Sequence, residues 1–297
     1  MPLAKVKLFV KVLSVAKYII IHIIEVAEVS YRVRRAPRLN LKGMIYMNIR
    51  TYGLDERLAF CREYLYKRNI RSASEIFLLP IPTSRDGVTV GATGKTPEEL
   101  FQKIPYGAVV AGYEIPMPFK EYFSSFGASV ADVSLDGRFT EENAKLTAEA
   151  AVGKILTEHG CAPSDLSVGI VGYGRIGKHL TSILAFLGAS LTVLTTRREV
   201  AEELCMAGIS GAFVSFGEDV TYALSSLDIL INTAPARLID ERAAEVLLNT
   251  EVIELASGDN LPRGLKFTRL SALPAKTYPK SAGRVLADSV IRMLGES

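Results

Sequence analysis

The sequence is poor in the residues that hold metals and disulfides. Its three cysteines, Cys61, Cys161 and Cys205, are far apart and odd in number, with no CxxC or Cys/His ligand spacing. This pattern argues against a disulfide framework and a zinc site, so no metal is expected, and it favours a reducing cytoplasm. The last of the three histidines is His179, so the C-terminal part of the chain offers no histidine base.

Apolar runs long enough to cross a membrane are also missing from the N-terminal region. Its most apolar stretch, residues 18–24, is interrupted by His22 and flanked by Lys17 and Glu25. A membrane span needs about 20 apolar residues. No small-residue cleavage site follows a clean apolar core, so the pattern predicts neither a span nor a signal peptide.

Positive charge is concentrated at the N-terminus. The net charge is +3, yet residues 1–46 hold nine Lys/Arg against only Glu25 and Glu28. The rest of the chain is therefore slightly acidic, which gives no electrostatic reason to expect nucleic-acid binding. We interpret 1–46 as a basic extension and expect translation to begin at Met44 or Met47. A basic amphipathic surface helix is the alternative.

The clearest motif is a glycine turn between a predicted strand and a predicted helix. The apolar run Val168–Val171 is followed by Gly172, Tyr173, Gly174, Arg175, Ile176 and Gly177, and then by apolar residues at helical spacing. In a dinucleotide-binding turn the first glycine permits the tight bend and the second allows a diphosphate to approach the backbone. The third allows the helix to pack closely, with its N-terminus facing the anion. We therefore predict dinucleotide binding over a glycine-rich turn without a ligand.

The next predicted strand, Leu191–Leu194, indicates which dinucleotide is bound. It ends in Thr195, Thr196, Arg197 and Arg198, where an NAD-specific site would place Asp or Glu. Because two guanidiniums can bind a 2′-phosphate, we predict NADP, with NAD as the alternative. Two later strand ends are also expected to border the cofactor, through Asn232, Thr233, Ala234, Pro235 and Ala256.

Alternating strand and helix patterns on both sides of this motif predict an α/β protein with two doubly wound parallel sheets. We place a smaller N-terminal α/β domain on the substrate side at 47–142. A Rossmann dinucleotide-binding domain is expected at 143–297, beginning with a linking helix over Asn143–His159 and closing with a C-terminal helix.

Three places in this arrangement are candidates for substrate chemistry. The polar loop Pro80–Gly87, with Ser84 and Arg85, follows a predicted strand, although a plain surface turn is equally compatible. Thr147 and Glu149 fall near the expected start of the linking helix, where Glu149 either faces the cleft or complements the helix dipole. Lys280 lies at the expected start of the C-terminal helix, as an anion ligand or a solvent-exposed lysine.

Taken together, the ordered motifs resemble those of the A-subunit family of bacterial dipicolinate synthase. The similarity runs from about Met47 to the C-terminus. Besides the glycine motif Gly172–Gly177, hereafter the fingerprint, it rests on Gly53–Arg57, Leu79–Gly87, Leu146–Ala150, Ile231–Pro235, Leu255–Ser257 and Leu273–Gly283.

This resemblance implies an oxidoreductase acting on a CH–CH group. It would oxidise 4-hydroxytetrahydrodipicolinate to dipicolinate with NADP as hydride acceptor, in the cytoplasm of the mother cell of a sporulating bacterium. The B-subunit of the synthase is implied as a partner, and we also expect a homo-oligomer. By the same resemblance, Arg85 and Lys280 would bind the substrate carboxylates, and Ser84, Thr147 and Glu149 would form hydrogen bonds or transfer protons.

Other functions fit the same architecture. A D-2-hydroxyacid dehydrogenase is disfavoured, because such enzymes resemble one another in using a late histidine base and none follows His179. A folate-type methylene dehydrogenase resembles the tail and the fold. A sensor or scaffold protein that binds NADP without turnover is the non-enzymatic alternative, since fold alone does not fix function.

Overall fold

A computed structural model describes residues 48–53, 55–68, 73, 75–214 and 219–295. The predicted basic extension and both candidate starts, Met44 and Met47, lie outside these residues. The strands are β1 Asn48–Thr51, β2 Glu75–Leu78, β3 Val109–Gly112, β4 Ser129–Asp132, β5 Ser167–Val171, β6 Ser190–Thr195, β7 Ser210–Phe213, β8 Ile229–Asn232, β9 Glu251–Glu254 and β10 Thr268–Arg269.

Ten α-helices are found within the described ranges. They are α1 Glu56–Arg68, α2 Pro97–Leu100, α3 Met117–Ser125, α4 Gly137–Glu158, α5 Arg175–Phe186, α6 Arg198–Met206, α7 Thr221–Leu224, α8 Glu241–Val246, α9 Leu273–Thr277 and α10 Pro279–Met293. No helix in this part of the chain combines the length and apolar character that crossing a membrane requires.

The second sheet has the doubly wound order predicted from the glycine motif. Its six strands run β10-β9-β8-β5-β6-β7, and all its pairs are parallel. Counted from β5, this is the 3-2-1-4-5-6 order of the Rossmann fold. The strand order reverses between β5 and β8, so the fingerprint after β5 lies at the point where this fold binds ligands. The predicted fold class is confirmed.

The first sheet is also parallel, as predicted, and its four strands run in the simple order β1-β2-β3-β4. Unlike the second sheet, it has no reversal of strand order among the described residues. The reason is the connectivity: each strand pairs with the next one along the chain, so no later strand of the described residues lies on the outer side of β1.

Apolar side chains cover both faces of the first sheet. Alternate strand residues such as Ile76 and Leu78 pack with α1 and with Val285 and Val290 of α10. Phe77, on the opposite face, packs in a cluster that includes Phe119 and Phe123 of α3. This alternation follows from the strand period of two residues.

The long helix α4 contributes to both sheets. Phe139 near its start belongs to the core of the first sheet, whereas Ala148 and Ile155 pack with β5 and α5. The helix begins six residues before the predicted Asn143, because the Asp136 carboxylate accepts a hydrogen bond from the Arg138 N–H at 3.0 Å and caps it.

The C-terminal helix α10 packs on the first sheet, although the sequence pattern groups it with the 143–297 domain. Its contact with α1 is close: a Cβ added to Gly283 would lie 2.6 Å from Cβ of Phe60 and 2.7 Å from the Arg57 carbonyl oxygen. Both ends of the described chain therefore contribute to the core of the first sheet.

One carboxylate ties α10 to the start of α4. Asp136 accepts hydrogen bonds from the Ser289 hydroxyl at 2.7 Å and from Nη2 of Arg292 at 2.6 Å. Burial raises the pKa of Asp136, but the bonds from Ser289 and Arg292 outweigh that effect and lower the pKa overall. Asp136 is therefore a charged clamp between two helices that are far apart in sequence.

We expect Asp136→Ala to lower the free energy of unfolding by about 2 to 3 kcal/mol, since a helix cap and two charge-assisted bonds are lost together. Urea unfolding measures this. Asp240→Ala is the matched control, because Asp240 caps α8 through the Ala243 N–H and pairs only with nearby Arg242 among the described residues. The decrease in the free energy of unfolding should be smaller for Asp240→Ala than for Asp136→Ala.

The same clamp predicts a pH dependence. The pKa of Asp136 is lower in the folded than in the unfolded protein, so its stabilising effect is fully present above the unfolded pKa of about 3.9. The stability difference between wild type and Asp136→Ala should shrink as the pH falls through the folded pKa. A difference that stays constant down to about pH 2 would contradict this assignment.

Candidate functional site

The fingerprint turn has the geometry that its three glycines predict. Gly172 has a φ of +94°, in the region that favours glycine, and its N–H donates to the Leu194 carbonyl at 2.8 Å. A Cβ added to Gly177 would lie 2.1 Å from the Gly172 carbonyl oxygen. Helix α5 can therefore lie against the turn only because residue 177 has no side chain.

Gly174 differs from its two neighbours in the motif. A Cβ added to it would meet no heavy atom of the described residues within 4 Å, and its φ of −81° and ψ of −162° suit any residue. Gly174 is also the N-cap of α5, and no side chain in the described part of the protein caps this helix. The N-terminus of α5 is therefore free of a side-chain cap and lies beside an open space, as an anion site requires.

The end of β6 places one guanidinium beside this turn and a second one against β7. Nη2 of Arg197 donates to the Tyr173 carbonyl at 2.7 Å, which holds its side chain at the fingerprint. The guanidinium of Arg198 lies 4.3 Å from the centre of the Phe213 ring. Thr195 is buried, whereas Thr196, Arg197 and Arg198 are exposed. Both charges are therefore accessible from solvent.

The loop after β8 packs against the other side of the turn. The Thr233 hydroxyl donates to the carbonyls of Val171 at 3.0 Å and Gly172 at 3.2 Å. Ala234 is buried, and its Cβ would lie 3.1 Å from a Cβ on Gly172. The exposed Pro235 follows. The residues predicted at this strand end thus border the fingerprint directly.

A buried carboxylate joins the ends of β8 and β9. Glu254 is fully buried and accepts hydrogen bonds from the Asn232 side-chain amide at 3.0 and 3.2 Å and from the Ala256 N–H at 2.8 Å. Burial raises the pKa of Glu254, and these bonds only partly oppose that rise. Asn232 and Ala256 are among the residues predicted from the sequence, whereas Glu254 is not.

Ion pairs among three side chains connect α5 to the long helix α4. Glu141 of α4 lies 2.8 Å from Nε2 of His179 and 3.7 Å from Nε of Arg175. Tyr113 follows β3 in the first sheet. Burial, Glu114 and Asp132 raise the pKa of Tyr113, and Arg175 is near enough to lower it. Arg175 and His179 of α5 are therefore linked to α4 through Glu141.

The loop after β2 is held by its own hydrogen bonds. The Ser84 hydroxyl donates to Asp86 at 3.0 Å and accepts the Gly87 N–H at 2.9 Å. Hydrogen bonds from Thr89 and Val88 hold the pKa of Asp86 well below its usual range. Arg85 is exposed at the tip of this loop.

An ion pair outside the predicted set anchors the base of that loop. The buried Arg57 pairs with Asp55 at 2.5 Å and contacts the Ile81 carbonyl at 3.5 Å. The Gly53–Arg57 motif is thereby joined to the Leu79–Gly87 motif. The two are neighbours in space although they are far apart in the sequence.

The remaining predicted residues make other contacts. The Thr147 hydroxyl donates to the Asn143 carbonyl of its own helix at 2.8 Å, and Glu149 lies 3.9 Å from Lys145. Both residues lie in the interior of α4, so the alternative role for Glu149 as a charge near the helix N-terminus is wrong.

Lys280 lies on the side of α10 that faces α1. Its Nζ is 5.8 Å from the centre of the Phe60 ring, in a surface groove of about 370 Å³ that Glu63 and Arg284 also line. Among the described residues, no hydrogen bond or ion pair joins Lys280 to Arg85, and none joins Ser84, Thr147 and Glu149 to one another. The structure therefore joins the predicted cofactor residues through direct contacts, whereas the predicted substrate residues make no such contacts with one another.

Three residues of the site, Tyr113, Glu141 and Glu254, are missing from the predicted set. They lie at strand ends or on α4. Tyr113 and Glu254 occupy the carboxyl ends of parallel strands, a signal that could have found them. Among the described residues no group of three His, Cys, Asp or Glu side chains is placed to hold a metal ion.

Comparison with known proteins was made in sequence and in structure. No protein-family model matches the sequence. Over 138 residues, this chain is 27% identical to the A-subunit of dipicolinate synthase of Bacillus subtilis (strain 168). That match covers 43% of this chain and 45% of the relative, so it spans less than half of the relative's length.

Two solved structures of dipicolinate synthase have the same fold. The A-subunit from Bacillus halodurans is similar with a TM-score of 0.67 at 21% identity, over 86% of this chain and 100% of that chain. The corresponding protein from Bacillus subtilis gives a TM-score of 0.68 at 16% identity, over 85% of this chain and 97% of that chain.

A transhydrogenase from Sinorhizobium meliloti is more distant, with a TM-score of 0.55 at 17% identity over 74% of this chain and 73% of that chain. At such identities the structural likeness shows the fold. Together with the sequence match, the comparisons confirm the predicted resemblance of this chain to the A-subunit family of dipicolinate synthase.

Proposed function

We propose that the crevice at the carboxyl end of the second sheet binds a nicotinamide dinucleotide and that the chain is an oxidoreductase. The observation that carries this proposal is the steric contrast among the three fingerprint glycines. A side chain at Gly177 is excluded by the Gly172 carbonyl, and one at Gly172 is disfavoured by its φ of +94° and by contacts of 3.0 to 3.2 Å, whereas the space beside Gly174 is open. A ligand diphosphate is the group that the Rossmann fold places there.

NADP is the proposed cofactor. Arg197 is held at the turn by the Tyr173 carbonyl, and Arg198 starts α6 beside it. A 2′-phosphate on the adenosine ribose would add negative charge at the end of β6, where Arg197 and the start of α6 lie, and the Arg198 guanidinium would turn from the Phe213 ring to bind it. The rest of the dinucleotide would be bordered by Asn232–Pro235 and Ala256. When bound, its oxidised nicotinamide would supply a hydride acceptor.

The proposed substrate is 4-hydroxytetrahydrodipicolinate, from the resemblance to dipicolinate synthase. Its ring would lose the hydroxyl group and a ring proton as water. It would then lose one hydride to the cofactor and one proton to a base, which leaves aromatic dipicolinate. The protein's part is to orient the ring, hold its two carboxylates and accept the proton.

The proposed roles follow the predicted residues. Ser84 and Thr147 would orient the substrate through their hydroxyl oxygens, because their hydroxyl protons are donated to Asp86 and to the Asn143 carbonyl. Glu149 is the one carboxylate of the three and would accept a proton, since its nearest paired cation, Lys145, is 3.9 Å away. Arg85 and Lys280 remain the proposed carboxylate ligands. A B-subunit partner and a homo-oligomer in the cytoplasm are part of the same proposal.

Gly174→Ala tests the diphosphate position. The added methyl group fits without strain, so the melting temperature should stay near that of the wild type, whereas dinucleotide affinity should fall by about tenfold or more. Gly137→Ala is the matched control, because its Cβ also meets no atom of the described chain within 4 Å. Titration calorimetry measures both variants. Unchanged affinity in Gly174→Ala would place the diphosphate elsewhere.

Cofactor choice is tested by replacing Arg197 and Arg198 together with Ala. Loss of two charge-assisted contacts should weaken NADP binding by about a hundredfold while NAD binding changes little, because only NADP carries the 2′-phosphate. Arg284→Ala, which removes an exposed arginine of α10, should affect neither. Equal weakening of NADP and NAD would reject the assignment.

Turnover is tested by following NADPH absorbance with 4-hydroxytetrahydrodipicolinate. We expect NADPH to form, and Glu149→Gln to lower kcat by about a hundredfold or more, as for loss of a general base. Glu142→Gln, on the same helix but paired with Arg138, should retain activity. Tight NADP binding without turnover, both alone and with the B-subunit of dipicolinate synthase present, would instead favour the sensor or scaffold function.

A further inference from the structure

Glu254 is unusual among the buried charged side chains of this protein. The other such residues within the described ranges, Arg57, Glu75 and Asp132, each have an oppositely charged partner, namely Asp55, Arg50 and Lys120. No Lys or Arg in the described part of the chain lies within ion-pair distance of Glu254. Its carboxylate is held by neutral donors alone.

Such an arrangement lowers the free energy of unfolding. A buried charge without a cation costs free energy that a neutral side chain of the same shape would avoid. Packing alone therefore gives no reason for a carboxylate at this position. Its contacts, in contrast, connect two loops of the proposed cofactor site.

The first connection runs through Asn232. A carboxylate only accepts hydrogen bonds, so the NH₂ group of Asn232 must face Glu254, and its oxygen then faces the Ala234 N–H at 3.2 Å. Next to Ala234, the Thr233 hydroxyl bonds to the Gly172 carbonyl. Glu254 thus determines the orientation of the loop that packs against the fingerprint turn.

The second connection runs through Ala256. The Ala256 N–H donates to Oε1 of Glu254 at 2.8 Å, and its carbonyl accepts from Nη1 of Arg269 at 3.2 Å. This loop follows β9, on the far side of β8 from β5. One carboxylate therefore fixes the ends of both strands that border the proposed dinucleotide.

We propose that Glu254 is a positioning residue for dinucleotide binding, whose ionised form orients the loops after β8 and β9. This inference rests on the proposed function. Oε1 accepts from both the Asn232 NH₂ at 3.0 Å and the Ala256 N–H at 2.8 Å, so a proton on the carboxyl group goes to Oε2, which lies 3.2 Å from the Asn232 NH₂. Two donors then oppose each other at Oε2, which weakens the link to the loop after β8.

A pH dependence follows. Burial raises the pKa of Glu254 above the usual value of about 4.3, with Asp259 acting in the same direction and Arg269 against it. Dinucleotide affinity should therefore weaken as the pH falls, beginning above the usual titration range of glutamate. NAD is the better probe here, because the 2′-phosphate of NADP itself titrates near about pH 6.

The experiment compares NAD and NADP binding to the full chain and to Glu254→Gln by titration calorimetry between about pH 5 and pH 8. Glutamine keeps the shape but presents an NH₂ to the Asn232 NH₂. At about pH 8 we expect Glu254→Gln to bind both dinucleotides roughly tenfold more weakly than the wild type does. As the pH falls, its NAD affinity should decrease only through groups other than residue 254, which the wild type also contains. The melting temperature should change little, because removal of a buried charge offsets the opposed amide groups.

A double variant supplies the control for a merely structural effect. In Asn232→Asp with Glu254→Gln the amide and the carboxylate exchange places. The glutamine amide at position 254 then donates to the carboxylate at position 232 and still accepts from the Ala256 N–H. Affinity should recover to within about threefold of the wild type, whereas Asn232→Asp alone should bind weakly, since two carboxylates then face each other.

The outcomes separate this inference from the proposed function. A wild-type chain that binds neither dinucleotide would overturn both. Tight wild-type binding with an equal affinity and pH profile in Glu254→Gln would overturn the positioning role alone. Loss of affinity in parallel with loss of melting temperature, without recovery in the double variant, would assign Glu254 to structure only.

Discussion

The site depends on one steric constraint, the contact between the start of α5 and the turn that precedes it. Because a Cβ at Gly177 would lie 2.1 Å from the Gly172 carbonyl oxygen, the helix can meet the strand only with glycine there. The uncapped start of α5 thereby lies beside the open space at Gly174. The loops on either side of this space come from the strand order, because β8 lies beside β5 on one side and β6 on the other.

A second constraint holds the two sheets in one unit. Helix α4 contributes Phe139 to the first core and Ala148 to the second, and α10 returns the chain to the first sheet. Asp136 joins these two helices at a single carboxylate, through its bonds to Ser289 and Arg292. Glu141 of α4 in turn pairs with Arg175 and His179 of α5, which links the fingerprint helix to the same long helix.

Local patterns predict which residues gather at the fingerprint turn better than they predict the neighbours of the proposed substrate residues. The glycines, Arg197 and the strand-end Asn232 are read from short segments whose geometry the Rossmann fold fixes. The contacts of Lys280 and the role of Glu254 depend on which elements become neighbours, and spacing along the chain does not contain that information. The start of α4 depends on the cap at Asp136, which the helical spacing of apolar residues does not reveal. The two-residue strand β10 is too short for any periodicity.

The proposed cofactor site depends on a diphosphate that lies against the backbone at Gly174. A crystal structure of the full chain grown with NADP would show whether it does. We expect diphosphate oxygens within hydrogen-bond distance of the first N–H groups of α5, and the 2′-phosphate beside Arg197 and Arg198. A dinucleotide bound at another place, or a crevice that stays empty at saturating NADP, would contradict it.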